Sequence, residues 1–162
     1  MDGRWLVLTR RGVGAAAALA GLALPAAVAE AGSADARAPF VGSWKAVSAE
    51  VVGADGAVEG RPWGDRPAGK LTYTAGGHMS ALIARSDAPR NDESALWHIG
   101  TYSVDRRRRT IIHHVQYSTV PAFENTDVVR SYRFPRRSTL ELSSAAGDGR
   151  LVITWKRIRG RP

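Results

Sequence analysis

The chain has 162 residues, a formal net charge of +8 and no cysteine, with 44% hydrophobic and 23% charged residues. That length supplies one core of ordinary size and leaves no room for a second comparable domain. Lack of cysteine excludes disulfides, a thiolate nucleophile and lipid attachment at a cysteine, so the core and the hydrogen-bond ladder must hold the fold.

The amino terminus, MDGRWLVLTRRGVGAAAALAGLALPAAVAEAGSADA, combines basic residues, an Ala/Gly/Leu/Val run from Gly12 and small residues at Ala27, Ala29 and Ala31. Thr9-Arg10-Arg11 directly before a weakly apolar core reads as a twin-arginine-type export signal over residues 1–29, with Ala27-Val28-Ala29 setting cleavage before Glu30 and Ala29-Glu30-Ala31 setting it before Gly32. An uncleaved anchor is the competing reading, since about 18 apolar residues lie at the lower edge of a bilayer span. The exported protein is then periplasmic, cell-envelope or secreted. Residues 30–39 read as a flexible linker and 40–162 as the folded domain.

From Phe40 onward, short runs of Val, Ile, Thr, Tyr and Trp alternate with Gly, Asp, Pro and Arg clusters, and no 3.6-residue period is sustained. Eight strands are predicted: Gly42 to Val52, Gly69 to Ala75, His78 to Ala84, His98 to Asp105, Thr110 to Ser118, Thr126 to Phe134, Thr139 to Ser144 and Arg150 to Ile158. Odd-numbered connections are long or Gly/Asp-rich, whereas the even-numbered ones are short: Gly76-Gly77, Arg106 to Arg109, and Pro135 to Ser138. In an up-and-down meander the long loops gather at one end, so the pattern predicts an all-β, eight-stranded antiparallel barrel with an open mouth and a tight floor. A sandwich of the same strands is the structural competitor. Arg85 to Trp97 is expected to carry a short helix acting as a lid.

The segments FVGSWKAVSAE, with Gly-x-Trp at Gly42 and Trp44, then GKLTYTAGGHMSALI, GTYSVD, TIIHHVQYSTVPAF and VVRSYRF resemble the bacterial and fungal lipocalin-like domain family, in that order, from about Phe40 to about Ile158. Family members carry a longer, partly helical segment before GTY, where this chain has only Arg85 to Trp97. The resemblance implies a calycin-type barrel around a small, mostly apolar molecule. It also implies that Trp44 plugs the floor with Arg157 lying over it, a stack contributing roughly 1 kcal/mol.

Strand parity then assigns the interior. With Trp44 inward, Ala46, Ser48, Glu50 and Val52 share its face, and Ile111, His113, Val115 and Tyr117 form one face of their strand while His114 points out. Tyr102 and Val104 face inward from the preceding strand, and Val128, Arg130, Tyr132 and Phe134 from the following one. Pairing Asp105 with Thr110 sets Tyr102 opposite His113, and pairing Tyr117 with Thr126 sets His113 opposite Arg130. Tyr102, His113, Arg130, Glu50 and Tyr132 are the expected ligand-binding residues; the competing reading of the Tyr102, His113 and Arg130 row is a satisfied internal network that only fixes register. A guanidinium in an apolar barrel needs a partner, for which Glu50 or an anionic ligand would serve.

The leading expectation is an exported binder of a small hydrophobic or amphipathic ligand, without a cofactor. The alternative is an isomerase or cyclase acting on a polyketide-like carbonyl substrate, with His113 as acid/base and Arg130 or Tyr102 beside the developing oxyanion. His78 and His98, placed near floor and mouth, have no metal-ligand spacing with the other histidines, and no metal is expected. Arg106, Arg107, Arg108, Arg109, Arg136 and Arg137 would make the floor basic and able to touch an anionic membrane surface; as solvated turn residues they would discourage edge pairing. No interleaved exposed aromatics accompany them, so nucleic acid is not an expected partner.

Overall fold

The computed structural model describes residues 34–87 and 95–159. Nine strands form one antiparallel sheet: β1 (Gly42–Val52), β2 (Val58–Gly60), β3 (Ala68–Tyr73), β4 (His78–Ala84), β5 (Ala95–Asp105), β6 (Thr110–Ser118), β7 (Thr126–Arg136), β8 (Thr139–Ala146) and β9 (Gly149–Arg157). β1 pairs along its length with β9, closing β1 and β3–β9 into an eight-stranded barrel, and the short β2 lies along the end of β1. The alternation of β-branched and polar residues produces this ladder because successive side chains point to opposite faces.

Closure fixes the floor. Trp44 is fully buried, and its Nε1–H donates to the Phe40 carbonyl at 2.8 Å. Arg157, the cross-strand partner of Trp44, holds its guanidinium 4.0 Å above the indole and donates to the carbonyls of Pro39 and Val41, each at 2.6 Å. Phe40 enters the core edge-on to Tyr132, with ring centroids 4.8 Å apart. Each such large apolar side chain withdrawn from water contributes about 1.5–3 kcal/mol. Within the segment read as a linker, residues 34–37 form one helical turn, Ala36 is buried, and Asp35 pairs with Arg106 at 2.6 Å. At the opposite end, Trp63, Val120 and Phe123 pack against the core and cover the mouth.

Three features depart from the sequence expectation. The β1–β9 register slips between Ala46 and Ser48, leaving Val47 exposed and turning Ala49 inward. Glu50 consequently faces out, where it meets Arg61 at 3.1 Å instead of entering the barrel. A second bulge leaves Gln116 unpaired, with Ile99 opposite Tyr117 and Gly100 opposite Val115, so Tyr117 points outward and is 61% exposed. Bulges of this kind add one residue to one strand and bend it, which a tightly curved barrel requires. Gly100 permits the second one, because any Cβ there would collide with the His114 carbonyl oxygen.

The third departure is the β6–β7 register. Val115, not Tyr117, pairs with Thr126, which places His113 opposite Val128 and Arg130 opposite Ile111. The shift is two residues, so both faces are preserved and Arg130 still points inward. The 3₁₀ turn Pro121–Phe123 occupies the longer connection that results. Smaller differences are the start of β5 at Ala95 and the turn before His78, where Gly77 takes φ 85° and donates to the Thr74 carbonyl. The lid expected within Arg85 to Trp97 falls mostly on residues 88–94, outside the described residues, as does the export signal.

Candidate functional site

The barrel interior holds one cluster of polar side chains, each delivered by a different strand. β3 supplies Tyr73, β5 supplies His98, β6 supplies His113, β7 supplies Arg130 and β9 supplies Trp155. All are buried, with relative exposures of 1%, 1%, 1%, 6% and 2% respectively. His98, His113, Arg130 and Trp155 line a cavity of about 20 Å³ whose remaining walls include Leu71, Ile83, Leu96 and Ile153. That volume accommodates about one water molecule.

A hydrogen-bonded chain crosses the cluster. The Tyr73 hydroxyl lies 2.6 Å from His113 Nε2, and His113 Nδ1 lies 3.2 Å from His98 Nε2. Both nitrogens of His113 are thereby engaged, and the open end is His98 Nδ1, which has no partner among the described residues. If Tyr73 donates to His113, then His113 donates to His98 and His98 Nδ1 carries the free proton. If the chain runs the other way, His98 Nδ1 presents a lone pair. Trp155 Nε1–H is likewise without a partner among the described residues.

Burial and a neighbouring cation set the charges. Burial, reinforced by Arg130, pushes His98 down to about 3, and the same two causes, in that order, hold His113 well below the ordinary histidine value. Burial raises the Tyr73 hydroxyl far above its ordinary value, against a lowering from Arg130. Both imidazoles and the phenol are therefore neutral at physiological pH. Burial also lowers Arg130, but not enough to discharge a guanidinium. The site is one buried cation among neutral hydrogen-bonding groups, with no ion pair to Arg130 among the described residues. A negative charge brought to this cavity would be attracted by the guanidinium.

Of the residues singled out from the sequence, His113 and Arg130 meet at this cavity. Tyr102 is buried beside them in the register expected, opposite His113, but its hydroxyl donates to the Thr74 carbonyl at 2.9 Å. Burial raises that hydroxyl to about 12. Tyr132 belongs to the aromatic floor with Phe40 and Phe134, and Glu50 is outside. Tyr73 and His98 were missed, although parity carried the signal: Tyr73 shares a face with Leu71, and His98 shares one with Tyr102. Among the described residues no three His, Asp or Glu side chains are grouped to hold a metal ion.

A family model described as a lipocalin-like domain matches residues 41–158. The search of curated proteins gave no match. Among solved structures, a redesigned beta barrel is 14% identical, with 76% of this chain and 96% of that chain covered at a TM-score of 0.42.

Proposed function

Because the chain belongs to the lipocalin-like domain family, whose barrel suits ligand binding in general, we propose that it carries an amphipathic molecule with an anionic head, such as a carboxylate or enolate. The observation that carries this reading is Arg130, a buried guanidinium at the cavity with no acidic partner among the described residues. An unpaired charge in such surroundings costs several kcal/mol, and an anionic ligand would offset that cost. Trp155 Nε1–H and, in one polarity of the chain, His98 Nδ1–H are spare donors for the same head group. The apolar body would lie among Leu71, Ile83, Leu96 and Ile153.

The closed cavity holds about one water molecule, so loading requires Trp63, Val120 and Phe123 to swing away from the mouth and the side chains that line the cavity to part. The export leader read at residues 1–29 would place this carrier beyond the cytoplasmic membrane. Calorimetric titration with decanoate and with decanol tests the reading. Decanoate is expected to bind the wild type and to weaken at least tenfold in Arg130→Met, with decanol indifferent to the change. Failure of decanoate to bind, or an equal response of acid and alcohol, overturns it.

A further inference from the structure

On the outside of the barrel, three adjacent strands bring together a hydroxyl, an imidazole and a carboxylate. Ser103 Oγ of β5 lies 2.9 Å from His114 Nε2 of β6, and His114 Nδ1 lies 2.6 Å from Asp127 Oδ1 of β7. His114 and Asp127 are direct cross-strand partners, while Ser103 sits one diagonal step away, opposite Ile112. A carboxylate can only accept, so in the neutral imidazole the His114 proton sits on Nδ1 and the Nε2 lone pair accepts from the Ser103 hydroxyl. This is the connectivity of a nucleophile, a general base and the group that orients the base.

The site is open to solvent: the His114 and Asp127 side chains are 39% and 62% exposed, and Ser103 is half-buried. Beside the serine, Ile112 and the 54% exposed Val129 continue the same cross-strand row as an apolar ledge. Thr101, directly across from His114, adds a hydroxyl to that face. The strand N–H groups here are engaged in the ladder, so Thr101 is the donor left for a developing oxyanion, a weaker provision than a paired backbone hole.

We propose that Ser103, His114 and Asp127 form a slow acyl-transfer site for small esters with a short apolar acyl group. Ser103 Oγ attacks the ester carbonyl carbon as its proton passes to His114 Nε2. The bond from that carbon to the alcohol oxygen breaks, and the alcohol leaves with the proton from Nε2. Water then attacks the acyl-serine, gives a proton to His114 and releases the carboxylic acid, and the proton returns to Ser103. The net change is ester and water to acid and alcohol. Asp127 is the positioning residue that keeps the proton on Nδ1.

The test uses the full chain with 4-nitrophenyl acetate, following nitrophenol release and locating the acetyl group by peptide mass spectrometry. The expected result is a burst of about one equivalent, acetylation at Ser103, and loss of both in Ser103→Ala. Asp127→Asn, at an exposed position, is expected to slow acylation at least about tenfold with an unchanged melting temperature, and Asp127→Glu to restore part of the rate. Acetylation confined to lysine or tyrosine, a rate unaffected by Ser103→Ala, or Ser103 labelling indifferent to His114→Gln and to Asp127→Asn would overturn the proposal. The three side chains would then lock strand register only. Decanoate binding at Arg130 is independent of every one of these outcomes.

Discussion

His98 Nε2 and His113 Nδ1 lie 3.2 Å apart inside the barrel, and the bulge at Gln116 makes the space for that contact. With the register of Tyr102 and His113 continued unbroken, Tyr117 would stand opposite His98 and enter the interior. The bulge puts Ser118 there and sends Tyr117 outward. One inserted residue thus exchanges a phenol for an open imidazole nitrogen at the cavity.

The two histidines make the fold acid-sensitive. Both are held neutral when folded, His98 at about 3 and His113 well below 6.5, whereas unfolded they titrate near 6.5. Below 6.5 the unfolded chain binds more protons, so stability is lost as pH falls and is fully present above that value. Each histidine contributes a slope of about 1.4 kcal/mol per pH unit well inside the window. Urea midpoints measured from pH 7 to 5 should fall steeply, and His98→Phe should remove about half of the slope. A flat profile would contradict neutral burial.

Arg130 sets stability against binding. Replacing an unpaired buried cation by Met should stabilise the ligand-free barrel by about 1–3 kcal/mol while removing the anchor for an anionic head. Chemical denaturation without ligand measures the first effect. A destabilised Arg130→Met would mean that the guanidinium is paired in the folded protein.

Arg157 closes the floor through its stack on Trp44 and two carbonyl contacts. Arg157→Met keeps much of the stem but loses all three interactions, and about 2 kcal/mol of stability should go with them. Tryptophan emission should shift to the red as the Trp44 cover opens.

Gly100 is where the β5–β6 bulge closes on backbone. In Gly100→Ala the new methyl meets the His114 carbonyl, which cannot yield as a flexible side-chain tip would. A loss of about 3 kcal/mol is expected in urea unfolding, whereas Ala at Gly60, the last residue of β2 with open space around its Cα, should change stability by less than about 1 kcal/mol.

Much of the architecture was legible in the sequence. Alternation of residue types set the inward faces around Trp44, Tyr102, His113 and Arg130, and the pattern of connection lengths indicated an eight-stranded barrel with its turns at one end. The Trp44–Arg157 contact followed from the resemblance and the order of strands. A side-chain period of two is a local property of the backbone, so it can be read without knowing what lies opposite.

What lies opposite was decided by the tertiary structure. The extra residues at Val47 and Gln116 answer to barrel curvature and carry no residue signature of their own beyond a glycine at position 100. They moved Glu50 and Tyr117 outside, and the two-residue shift between β6 and β7 separated Arg130 from the place across from His113. The neighbouring histidines show the division most plainly. Parity alone parted His113 from His114, but only the registers of the closed sheet gave one to Tyr73 and His98 within and the other to Ser103 and Asp127 without. Faces belong to a strand, while partners belong to the closed sheet.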